Sequence, residues 1–250
     1  MKAKILFQGR FSKSDVVCKY SSISPRKINT EIENKAKQIW EEKSEEAKGQ
    51  GKKMWDQPVY RLDDFTLNKG RCFLTFSTIP FSIRTSVKDF TEQLIEMGKE
   101  YLPMATYSSF FIETEEGNFV FGVKSNIYVT NRSFSYIGGV FNQEKGDCSH
   151  PPLFDDSLKE VKEELGIVDS VINDFRLLGA FQSETCNVGF IFYCKVKLSA
   201  DEVKGCFEEH NDLELKELTI VELRDLRDFC IKKIGKEAEI VDIFEQTMNG

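Results

Sequence analysis

The chain has 250 residues, a formal net charge of −7 and seven cysteines. The acidic balance, with no Lys/Arg stripe interleaved with aromatics, argues against general nucleic-acid binding. No apolar run reaches the roughly 18 residues of a membrane span, and the patch Ile5–Phe7 is too short for a signal peptide. The odd cysteine count without C-x-x-C spacing fits reduced, partly buried thiols, and with only His150 and His210 a His-based zinc site is disfavoured. A cytoplasmic protein is the expectation, with the nucleus as an alternative.

In chain order, Ile5–Phe7 reads as a strand, and Ser24-Pro25 marks a turn. A helix follows, with Thr30 and Glu33 as a capping box and Ile32, Ala36, Ile39 and Trp40 at helical period. It breaks at Gly49-Gln50-Gly51. Val59–Leu62 and Arg71–Phe76 read as strands around Asn68-Lys69-Gly70. Val87–Tyr101 reads as a helix carrying Phe90, Leu94 and Met97 on one side, ended by Pro103. Trp40 and Trp55 need apolar partners. No Gly/Ser/Pro linker appears near residue 105. An N-terminal α+β extension, residues 1–107, is therefore expected to pack on a domain spanning 108–250 rather than stand apart.

In the second region, Phe110–Thr114 and Asn118–Lys124 flank the hairpin signal Glu115-Glu116-Gly117. Ile127–Thr130 and Phe134–Ile137 are short strands, and the second runs into the paired glycines Gly138-Gly139. Leu177–Phe181 and the apolar run Gly189–Leu198 are strands. Ser199–Phe207 reads as a capped helix, Leu213–Val221 as a last strand, and Val221–Cys230 and Glu237–Met248 as terminal helices. A mixed sheet with helices on both faces is an α/β/α sandwich.

The chemistry concentrates in Lys159-Glu160-Val161-Lys162-Glu163-Glu164-Leu165-Gly166-Ile167. Asp155 or Asp156 can cap a helix there, and Gly166 suits its left-handed end. At about 100° per residue Leu158, Val161 and Leu165 share one stripe, and Glu160, Glu163 and Glu164 another. Carboxylates at i, i+3 and i+4 repel by a few tenths of a kcal/mol per pair, a cost that a hard divalent cation removes. The alternative is a solvated acidic face.

Gly138-Gly139, a polar loop and this helix together resemble the Nudix box. That pattern is G, five residues, E, seven residues, then R-E-U-x-E-E-x-G-U with U aliphatic. Glu160, Val161, Glu163, Glu164, Gly166 and Ile167 match position by position, and Lys159 replaces Arg. Gly139 to Lys159 is 20 positions, against 14 in the family, so the loop carries six extra residues. Pro151 falls where the family's first Glu would be, and Glu144 or Asp147 can stand in. The segments Ile39-Trp40-Glu41, Trp55–Leu62 and Leu198–Val203 are similar to the uridine diphosphate glucose pyrophosphatase branch of that superfamily.

The resemblance implies a Nudix-type α/β/α sandwich and metal-dependent cleavage of a nucleoside diphosphate sugar. UDP-glucose or UDP-galactose would give UMP and a hexose 1-phosphate. It implies Glu160, Glu163 and Glu164 as ligands for Mg²⁺, with Mn²⁺ as an alternative. Glu209 is the expected general base, with Glu184 as runner-up. Lys124 and Arg132 are phosphate-contact candidates, Tyr107 and Tyr136 can stack a uracil, and Gly139 lets the backbone approach the metal or phosphate. The implied partner is a small nucleotide substrate, with no nucleic acid and no membrane. ADP-ribose, NADH or a dinucleoside polyphosphate are rival substrates, and a non-catalytic Nudix-fold binding module is a rival class.

Overall fold

The computed structural model describes residues 2–51, 54–125, 134–143, 150–210, 214–235 and 238–249. Its centre is a mixed seven-stranded sheet. The strands are β1 (Lys4–Phe11), β5 (Thr106–Glu113), β6 (Phe119–Lys124), β7 (Phe134–Ser135), β8 (Ile172–Gln182), β9 (Val188–Val196) and β10 (Leu215–Val221). They run in the order β1-β8-β9-β5-β6-β10, with β7 also on β6, and only β5 and β9 pair in parallel.

Alternation along the central strands explains why helices cover both faces. Phe190, Phe192 and Cys194 of β9 and Phe110 and Ile112 of β5 point to one side. There they meet Val161 and Leu165 of α4 (Leu153–Leu165) and Val203 and Phe207 of α5 (Ala200–His210). Ile191, Tyr193 and Phe111 point to the other side, against Ile240, Val241, Ile243 and Phe244 of α7 (Ala238–Asn249). The phenylalanines do most of the filling. Phe192 stacks on Phe110 and Phe175 and meets the edge of Phe154 on α4. The expected sandwich is present. Among the described residues no helix is long and apolar enough to cross a membrane.

A second sheet, β2-β4-β3, joins β2 (Val16–Tyr20), β3 (Pro58–Asn68) and β4 (Arg71–Pro80). With α1 (Thr30–Gly49), α2 (Phe81–Ser86) and α3 (Thr91–Met97) it makes up most of the N-terminal region. β1 belongs instead to the central sheet, as the edge strand on β8. β3 is stitched to the core through Tyr60 N–H to the Phe141 carbonyl (2.9 Å) and Leu62 N–H to the Met104 carbonyl (3.0 Å). The seam contains a buried Arg61–Asp63 ion pair, with the Ser77 hydroxyl donating to Asp63 at 2.9 Å.

Several local expectations are corrected. α1 is capped by the Asn29 side chain, which accepts from Ile32 N–H at 3.1 Å, and Thr30 is its first helical residue. Val87–Tyr101 is not one helix. A 3₁₀ turn at Val87–Phe90, α3 and a second turn at Lys99–Tyr101 divide it, with Gly98 at φ 120° forcing the last break. β2 pairs in parallel with β4, a distant partner that no local pattern announces. Trp40 meets Phe81 edge-on, but Trp55 is 63% exposed. The strand expected at 127–130 lies outside the described residues, as does Cys148.

Candidate active site

The paired glycines enter the sheet where β5 and β6 splay apart. These strands pair at Ile112–Val120 and Glu113–Phe119. Beyond that the segment from Phe134 onward lies between them, bonding β6 through Phe134 and Ser135 and β5 through bridges Phe110–Ile137 and Tyr107–Val140. Ser108 N–H donates to the Gly139 carbonyl at 2.8 Å. Gly138 has φ 130°, and a Cβ there would sit 2.5 Å from the Ser108 carbonyl oxygen, so only glycine fits.

α4 lies against this turn. It begins at Leu153 after Pro152, without a side-chain cap, so Asp155 and Asp156 fall inside its first turn instead of capping it. There they favour the helix dipole. Gly166 closes the helix at φ 69°, and a Cβ would meet His210 of α5 at 2.5 Å, so conformation and packing both require glycine.

The three motif glutamates have different surroundings. Glu164 is buried and accepts the Gly138 N–H at 3.1 Å, tying helix to turn. Glu160 is half-buried, with its carboxylate against Gly139, where a Cβ would come within 2.3 Å of Oε2. Burial, then Glu163, then Glu214 push its pKa up to about 7, with Asp156 adding and Lys159 opposing. Glu163 is exposed, 3.9 Å from Lys159 Nζ. A groove beside them is lined by Ser108, Val140, Asn142, Asp156, Lys159 and Glu160.

The other expected residues are dispersed. Glu209 is exposed in the last turn of α5, not on a loop, because Val203 and Phe207 hold that helix against the core as far as His210. The late acidic group that acts on Glu160 is Glu214, just before β10. No local pattern marks Glu214, since its influence on Glu160 depends on β10 folding back onto β6. Lys124 ends β6 opposite Leu215, beside Glu214, and Ser125 N–H donates to the Glu214 carbonyl at 2.9 Å. Glu184 is exposed on the β8–β9 turn. Tyr136 is 6% exposed and edge-packed on Phe111 and Phe121, so its ring is core and closed to a base. Tyr107 is half-buried, with Phe181 on its edge. Arg132, Glu144 and Asp147 lie outside the described residues. Among the described residues no three acidic, His or Cys groups form a ready cation cage.

No protein-family model matches the chain, and no curated protein matches it. Solved structures similar to it include DR0079 from Deinococcus radiodurans, at 11% identity over 56% of this chain and 81% of that one, TM-score 0.40. Another is a MutT protein from Methanosarcina mazei Go1, at 19% identity over 58% and 95%, TM-score 0.37. A C. elegans Ap4A hydrolase complex shares 15% identity over 58% and 98%, TM-score 0.36. Likenesses at this level assign no activity, so the functional reading rests on the residues themselves.

Proposed function

We propose that the chain is a metal-dependent Nudix pyrophosphohydrolase that cleaves a nucleoside diphosphate derivative, with a UDP-hexose as the first candidate substrate. The observation that carries this reading is the union of the two halves of the motif. Twenty positions separate Gly139 from Lys159, yet the glycine turn and the acidic helix meet through the Gly138–Glu164 hydrogen bond and the Gly139–Glu160 contact. An acidic face that served only solubility would have no use for a glycine cradle around one of its carboxylates.

The donor set fits a hard divalent cation. Of the expected ligands, Glu160 and Glu163 present carboxylate oxygens, with Gly139 leaving room for the first of them against the backbone, while Glu164 is buried against the Gly138 amide; among the described residues they do not close into a cage. These residues would hold Mg²⁺, which supplies charge neutralisation at the pyrophosphate oxygens. Glu164 holds the turn in place through Gly138. Glu214 takes the role expected of Glu209 and removes the proton from the attacking water. Lys124 offers a positive charge near the same end of β6. Water adds to one phosphorus of the diphosphate, the bridging oxygen leaves with the other phosphoryl group, and the products are a nucleoside monophosphate and a sugar phosphate.

The test is a product assay with Mg²⁺ on UDP-glucose beside ADP-ribose, NADH and Ap4A, with Glu163→Gln as control. UMP and glucose 1-phosphate from UDP-glucose alone, lost in the variant, is the expected result. Turnover of another substrate, lost in the variant, keeps the reaction class and removes the UDP-sugar. Folded protein with no turnover of any of them sinks the hydrolase reading and leaves a binding module.

A further inference from the structure

α2 inserts against the start of β5 and places Arg84 over two rings. Its guanidinium carbon is 5.5 Å from the centre of Phe81 and 6.0 Å from that of Tyr107. Phe81 in turn meets Trp40 of α1, so an aromatic ladder runs from α1 to the core strand. Arg84 Nε is sealed from solvent and has no hydrogen-bond partner among the described residues.

Burial and the absence of an ion pair together separate Arg84 from the other described arginines; Arg71, which lies 5.7 Å from the centre of Phe73, is exposed. Arg26, Arg61, Arg176, Arg224 and Arg227 each pair with a carboxylate, and Arg10 donates to two backbone carbonyls. No ion pair involving Arg84 occurs among the described residues, and Glu184, on the neighbouring β8–β9 turn, makes none either. Lys4 of β1 pairs opposite Gln182, next to that turn, and adds positive charge there. Burying a cation without a counter-charge is costly, and ring faces recover only part of that cost. A guanidinium over two rings, with no hydrogen bond to its Nε–H among the described residues, is organised to receive a planar or tetrahedral oxyanion.

Its position adds a second argument. Tyr107 bridges to Val140, the residue after Gly139, and the neighbouring Ser108 lines the groove beside Glu160. Side chains alternate across a strand, so Tyr107 and Arg84 lie on the opposite face from Glu160 at the same end of β5. We propose that Arg84, braced by Phe81 and Tyr107, is an anion-recognition residue that the N-terminal region contributes to this end of the sheet, and that its ligand is a phosphate oxyanion. The oxyanion comes either from a phosphate group of the nucleotide substrate or from free phosphate. The substrate arm of the test rests on the hydrolase reading, and the phosphate arm does not.

The experiment compares wild type with Arg84→Met and Arg84→Lys by thermal melting. Inorganic phosphate or pyrophosphate is titrated with EDTA present and ionic strength held with chloride. Without phosphate, Arg84→Met melts at or above wild type, because a buried charge with no ion-pair partner among the described residues has gone. Phosphate raises the melting temperature of wild type, raises that of Arg84→Lys less, and leaves Arg84→Met unchanged. Equal phosphate shifts in wild type and Arg84→Met overturn the proposal. So does a wild type that does not respond to phosphate, and early melting of Arg84→Met beside it makes Arg84 a structural pillar. With a turned-over substrate and Mg²⁺, a several-fold rise in KM at constant kcat in Arg84→Met assigns the oxyanion to the substrate. An unchanged KM beside a lost phosphate shift assigns it to free phosphate.

Discussion

Replacing Gly139 by alanine tests the site with one methyl group. Gly139 lies outside the left-handed region, so its backbone accepts alanine. The new Cβ would meet Glu160 Oε2 at 2.3 Å and Cδ at 2.5 Å. That is about 1 Å short of van der Waals contact, and the atoms in the way belong to the end of a flexible side chain. Glu160 can swing aside into a less favoured rotamer at a cost of roughly 0.5–1.5 kcal/mol. The fold should therefore tolerate Gly139→Ala with little change in melting temperature. The reaction should not, because a reacting group displaced by about 1 Å costs on the order of 100-fold in rate.

Gly138→Ala is the contrast. Its Cβ would strike the Ser108 carbonyl oxygen at 2.5 Å from a backbone at φ 130°, and neither can rotate away. Strain of that kind costs about 1–3 kcal/mol before the clash is counted, so this variant should unfold early. The assays are thermal melting, kcat on the best substrate, and the Mg²⁺ concentration for half-maximal rate. Full kcat in Gly139→Ala would refute the placement of Glu160 at the reaction centre. A melting loss equal to that of Gly138→Ala would refute the claim that only a side chain stands in the way.

Two further expectations follow from the core. Phe192 is fully buried between Phe110, Phe175 and Phe154, so Phe192→Ala should cost about 3–5 kcal/mol in urea unfolding, and a loss below about 1 kcal/mol would contradict the packing described. Burial raises the thiols of Cys72, Cys194 and Cys230 from 9.0 to about 12. Above pH 9 the unfolded chain releases these protons and the native one keeps them, so stability should fall from pH 9 toward 12, by up to about 1.4 kcal/mol per pH unit for each thiol. Urea midpoints measured across that range would check the sign, and a midpoint that rises with pH would exclude it.

Much of this architecture was legible in the residues. The continuous apolar run Gly189–Leu198 announced a strand, and in the fold its Phe190 and Ile191 face opposite cores. Gly166 announced a helix end and Gly138-Gly139 a tight turn, because the positive φ of Gly166 and Gly138 suits only glycine without strain. Helix starts were less legible. α4 opens at Leu153, two residues before the acidic pair expected to cap it, since the burial of Leu153 and Phe154 outweighs a side-chain cap.

The sequence by itself determined the elements whose cause is local: periodic strands and helices, glycine turns, and the acidic helix with its spacing. The tertiary structure alone decided which distant groups share a volume. It placed β1 on the central sheet, β2 beside β4, Glu214 where its charge acts on Glu160, Tyr136 in the core and Arg84 over Tyr107. Each of these depends on a pairing between segments far apart in the chain. Such pairings are selected by the summed burial of many side chains, and no window of neighbouring residues contains that sum.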